Sequence, residues 1–151
     1  MGRLPVIVAV SVLCLTACTD GDDPPPPAPS APAATCPADA RIAPDGADGL
    51  AREGVGTDAT LWALFFADSL TTGADSKVVW RMSGSGDLRI VATGPDGRTI
   101  EPIWIERHGD SSFQRPGDEW GTGWRFPTAG CWTFHATRPV GSGELTVRVA
   151  G

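Results

Sequence analysis

From residue 58 to the C-terminus, apolar side chains recur at every second position, and this alternation constrains the chain more than any other feature. A period of two puts one set of residues on each face of an extended strand, whereas a helix needs apolar positions three and four apart. Val78, Trp80 and Met82 alternate with Lys77, Val79 and Arg81, and Leu88, Ile90 and Ala92 alternate with Asp87, Arg89 and Val91. Trp132, Phe134 and Ala136 alternate with Cys131, Thr133, His135 and Thr137, and Leu145, Val147 and Val149 form the cleanest stripe. Thr60 to Phe66 is apolar on both faces, as a central strand would be. Two further strands are predicted, one over 98–106 with Ile100 and Trp104 on one face, and one in which Trp124 and Phe126 flank Arg125. Ser83 to Gly86, Gly94-Pro95-Asp96-Gly97 and Gly141-Ser142-Gly143 supply the turns. Seven short strands at this spacing predict an all-β, two-sheet sandwich over residues 36–151.

The N-terminus reads as an address. Met1 to Arg3 give a positive end, Leu4 to Cys14 are almost wholly apolar, and Leu15-Thr16-Ala17-Cys18 follows. Carried through Ala17, the apolar run would span only about 21 Å as a helix, short of a hydrocarbon core of about 30 Å. Leu15-Thr16-Ala17-Cys18 resembles the lipobox of bacterial lipoproteins, which implies a signal peptide over 1–17 and a diacylglyceryl group on Cys18. Two acyl chains suffice for stable anchoring. The protein is therefore expected outside the cytoplasm, lipid-anchored to the bacterial cell membrane; the alternative is plain secretion with Cys18 unmodified.

Residues 18–35 hold Pro24 to Pro27, Pro29 and Pro32 among Asp, Ala and Ser, with nothing to bury. They read as a semi-rigid tether reaching up to about 50 Å in polyproline II form. Beyond the signal and Cys18, only Cys36 and Cys131 remain, and in an exported chain they suggest one disulfide. Two buried thiols are the alternative.

Val78-Val79-Trp80-Arg81 resembles the Trp-bearing third strand of immunoglobulin-like domains, and Phe126-Pro127-Thr128-Ala129-Gly130-Cys131-Trp132 resembles a later corner and strand of that fold. The sandwich is therefore expected to be immunoglobulin-like. Cys36 departs from the pattern because it precedes the first strand. The stretch from about 45 to 151 also resembles immunoglobulin-like lipoprotein domains of high-GC bacteria, a resemblance that carries no activity with it.

Several chemistries are disfavoured. A net charge of −6, with Lys77 the only lysine, argues against a general nucleic-acid partner. Phe126 to His135 looks like a run found near copper in cupredoxins, but a blue-copper site needs two His and a free thiolate, and only His108 and His135 are present. No G-x-S-x-G elbow occurs, and the adjacent Asp118 and Glu119 would point to opposite faces of a strand. The chain is read as no enzyme, with no cofactor and no metal.

The segment from His108 to Trp124 predicts a long connection in which Phe113, Arg115, Asp118, Glu119, Trp120 and Trp124 are candidate binding residues. Aromatics and Arg on a loop dominate binding hot spots, although Trp in a small β domain also serves as core. The expected function is a monomeric binding or accessory module of the cell envelope, with a protein or cell-wall glycan as partner. A proteinase inhibitor presenting Arg115-Pro116 on a protruding loop is the alternative.

Overall fold

The structure is a computed structural model, and it describes residues 36, 43–44, 50–109 and 111–151. The expected signal peptide, lipidated Cys18 and tether lie outside the described residues. Twelve strands and no helix occur among those described. The first sheet runs in the order β1 (Ala43–Pro44), β2 (Leu50–Glu53), β4 (Leu61–Phe65), β6 (Asp75–Met82), β10 (Asp118–Arg125), β9 (Trp104–His108). The second runs β3 (Val55–Thr57), β12 (Ser142–Ala150), β11 (Gly130–Thr137), β7 (Arg89–Thr93), β8 (Thr99–Ile100). Pairing is antiparallel throughout, except that β5 (Leu70–Thr71) lies parallel to the end of β12.

Counted from β4 with the two-residue strands β5 and β8 left out, the first sheet carries strands one, two, five and four, and the second carries seven, six and three, with β8 beside the third. That is the immunoglobulin order. The strand bearing Trp80 is β6, which takes the second position; the third is β7. The resemblance of residues 78–81 to a third strand is corrected accordingly.

Two other expectations change. The strand predicted over 98–106 divides, because Glu101 precedes Pro102, which has no N–H to donate and steers its predecessor away from regular pairing. β8 stays with β7 in the second sheet, while β9 crosses to β10 in the first, so Ile100 and Trp104 do not share a face. The strand predicted around Trp124 begins six residues earlier, at Asp118, and shortens the expected long connection to 109–117.

The core is the interface of the two inner faces. Trp80, Trp124 and Phe126 from the first sheet's side meet Trp132 and Phe134 of the second, with Trp80 and Trp124 edge-on to Phe134 at centroid distances of 4.8 and 5.0 Å. Such T-shaped contacts set the positive ring edge against the negative face. Thr122 sits among them, fully buried. Its Oγ1 accepts the indole N–H of Trp80 at 2.8 Å and of Trp124 at 2.7 Å, and donates to the Val78 carbonyl at 3.0 Å. One hydroxyl thus satisfies both buried indoles.

Arg138, from the β11–β12 turn, closes one end of the sandwich. It donates to the carbonyls of Met82 at 2.8 Å and Gly86 at 3.1 Å, pairs with Asp118 at 2.6 Å, and lies 4.7 Å from the Trp120 ring. Cys36 is joined to Cys131 at the start of β11, with Cα atoms 5.4 Å apart, the pairing the two cysteines suggest.

Candidate binding face on the first sheet

The outer face of the first sheet is divided between a covered half and an open half. In the covered half, Trp62 and Leu64 of β4, Val79 of β6 and Ala51 of β2 form a second apolar cluster, and Phe113 caps it. A central strand that is apolar on both sides needs such a cover. Residues 111–117 supply it and are held at several points. Arg81 pairs with Glu119 at 3.0 Å and donates to the Gly117 carbonyl at 3.1 Å; Ser111 hydrogen-bonds to the same Glu119 carboxylate and accepts the Phe113 N–H at 3.1 Å. Gly117 is in the left-handed region at φ 100°, and a Cβ there would lie 2.1 Å from the Met82 carbonyl oxygen. Only glycine allows the chain to pass so close.

The structure therefore redistributes the six candidate binding residues. Trp120 and Trp124 belong to a strand and face the core, where their area is worth more buried than exposed. Phe113 is buried under its own loop, and Glu119, only 3 % exposed, is consumed by Arg81 and Ser111. The Arg115 guanidinium lies 4.6 Å from the Trp62 ring and 5.7 Å from Phe113, so Arg115-Pro116 does not protrude. Asp118 is partly exposed and pairs with both Arg138 and Arg107. The hydrogen bond from Arg138 holds its carboxyl below the ordinary value against the opposing effect of desolvation, and the Arg107 charge adds to it. These six residues do not converge on one exposed surface.

The residues of the copper reading are also dispersed. His108 lies on the outer face of the first sheet opposite Glu119, and His135 on the outer face of the second, with Nδ1 3.0 Å from Glu144. Met82 is in the core and Cys131 is in the disulfide.

The open half is built on glycine. On β10, Trp120, Thr122 and Trp124 point inward, so Gly121 and Gly123 fall on the outer face and leave a furrow in it. Side chains of the edge strand β9 lie down in that furrow. A Cβ on Gly123 would come within 2.1 Å of the Trp104 Nε1, and one on Gly121 within 2.3 Å of the His108 Nε2 and 3.1 Å of the Trp104 ring. Trp104 is nevertheless 38 % exposed, and Phe66 and Ile103 nearby are 60 % and 61 % exposed.

Two depressions share this face. One, of about 250 Å³, is bounded by Phe66, Lys77, His108, Gly109 and the segment 111–113. The other, of about 610 Å³, runs between Trp104, Ile103, Lys77 and the ion pair of Asp75 with Arg125. Lys77 lines both, its amine 5.0 Å from the Phe66 ring. Sequence patterning alone misses this surface. The available signal is Trp-Gly-Thr-Gly-Trp over 120–124, in which glycine at each outward position of a strand marks a close approach of another group.

Comparison of the chain with models of protein families, with curated proteins and with solved structures returns no match.

Proposed function

We propose that this protein is a lipid-anchored binding module of the bacterial cell envelope, without enzymatic activity, whose immunoglobulin-like sandwich presents the open half of the first sheet's outer face to a protein or a cell-wall glycan. The observation that supports this reading is the exposure of Trp104 beside Phe66 and Ile103 in a domain whose other large aromatics are mostly buried. Exposed apolar surface rimmed by charge is what a binding face requires, and structural duty does not account for it. The lipobox resemblance supports a position at a membrane, and the proline-rich stretch is suited to holding the module away from the bilayer.

The test is crosslinking capture from native envelopes with the full chain, comparing wild type with a folded Trp104→Ala, Phe66→Ala double variant. Partners recovered only by wild type are the expected result. Equal recovery by both overturns the assignment of the face. Acyl labelling of wild type but not of Cys18→Ala is expected, and label that persists in the variant removes the lipid anchor from the proposal.

A further inference from the structure

The larger depression on the open face has a composition that selects among ligands. Its floor holds the Trp104 indole, fixed in position because it rests on Gly123 and reaches toward Gly121. A ring held in this way loses little conformational entropy when a ligand stacks on it. At the rim, Arg125 contacts Asp75 through Nε at 2.9 Å and Nη2 at 2.7 Å, and both contacts fall on the same carboxylate oxygen, Oδ1. The second carboxylate oxygen and the remaining guanidinium N–H groups are left as an acceptor and donors side by side. Lys77 adds a second cation on the wall.

An aromatic surface next to a paired acceptor and donor matches the chemistry of a sugar ring. The axial C–H groups of a pyranose make one apolar face that packs on an indole, and its adjacent hydroxyls each need a donor and an acceptor. Two cations against one carboxylate favour a sugar that carries a carboxylate of its own. The volume, about 610 Å³, lies within the usual span of small-ligand clefts, roughly 300–1,000 Å³. A protein partner would more often be met by a dry central pocket than by a single aromatic with polar groups at its edge.

We infer that the cleft between Trp104 and the Asp75–Arg125 pair is a saccharide site for a short run of pyranose units, with acidic sugars preferred. The inference rests on the binding-face reading and narrows its ligand to a glycan.

The experiment uses the full chain in detergent and two probes: a disaccharide of N-acetylglucosamine and N-acetylmuramic acid, which carries a carboxylate, and neutral cellotriose. Acrylamide quenching of tryptophan emission reports on Trp104, and calorimetry gives the affinity. Protection of the exposed indole by the acidic disaccharide, with weaker protection by cellotriose, is expected. Trp104→Ala is expected to weaken binding roughly tenfold or more, and Arg125→Ala to remove the preference for the acidic sugar, with far-ultraviolet circular dichroism and a cooperative urea transition retained in both. Absence of protection by either sugar, or binding unaltered in Trp104→Ala, overturns the inference. If Trp104-dependent capture from envelopes yields a protein and neither sugar competes, the saccharide assignment fails while the binding face stands; if Trp104→Ala changes neither assay, both fail.

Discussion

Trp80 and Thr122, on neighbouring strands of the first sheet, are joined in the core by a 2.8 Å hydrogen bond from the indole nitrogen to the threonine hydroxyl. Because Trp124 donates to the same oxygen, Thr122→Val strands two buried N–H groups at almost constant volume. Each such group costs about 1–3 kcal/mol, so the expected loss is about 2–6 kcal/mol by urea denaturation. Thr122→Ser restores most of it. A loss below about 0.5 kcal/mol would show that the indoles find other acceptors.

Asp118 makes the stability depend on acid. Its carboxyl is held below the ordinary value of 3.8, chiefly by the Arg138 hydrogen bond, so the folded state favours the charged form more than the unfolded chain does. The contribution is complete above the unfolded value and is lost as pH falls through the lower, folded one. The stability difference between wild type and Asp118→Asn is therefore expected to be level near neutrality and to shrink as the pH drops below about 4. A difference that stays constant down to pH 2 contradicts this assignment.

Gly123→Ala puts a methyl group where the Trp104 indole now lies, 2.1 Å from Nε1. The ring is expected to lift from the furrow, raising acrylamide quenching and shifting emission to the red. The stability cost is modest, about 1 kcal/mol, because the displaced ring stands on an edge strand with solvent above it and displaces no core residue. Emission identical to wild type would mean that the indole does not rest on Gly123.

Phe113→Ala uncovers the apolar cluster of Leu64 and Val79. A loss of about 3 kcal/mol is expected, along with faster amide exchange on β4 and β6. A loss under about 1 kcal/mol would show that residues 111–117 are held by Arg81 and Gly117 alone.

The disulfide is expected to contribute about 2–4 kcal/mol, read as the shift in urea midpoint when Cys36 and Cys131 are both replaced by Ser. No change would assign Cys36 a role other than stapling.

Much of the sandwich was legible because strand stripes are a local property: Val78, Trp80 and Met82, like Leu145, Val147 and Val149, turn inward as their alternation predicts. What failed depended on contacts between distant segments. Nothing local reveals that Pro102 marks a change of sheet, and although Trp120, Thr122 and Trp124 alternate with Gly121 and Gly123, that alternation does not say which side chains lie down on the glycines. The candidate loop differs from its expected role for the same reason. Phe113 and Arg115 are chemically suited to a hot spot, but Trp62 and Leu64 on the outward side of a central strand required a cover, and those residues provide it. Alternation puts Trp104 on a strand face but does not show its exposure, since burial on an edge strand is decided by neighbours that alternation cannot name.

The bond between Cys36 and Cys131 also determines how the domain carries load. Tension applied to the chain ahead of Cys36 enters β11 directly, and β11 is gripped on one side by β12 and on the other by β7. The chain between the two cysteines, 95 positions apart, is bypassed where that force enters, so a pull toward the N-terminus is taken up by a central strand of the second sheet and does not peel the domain from its first strands.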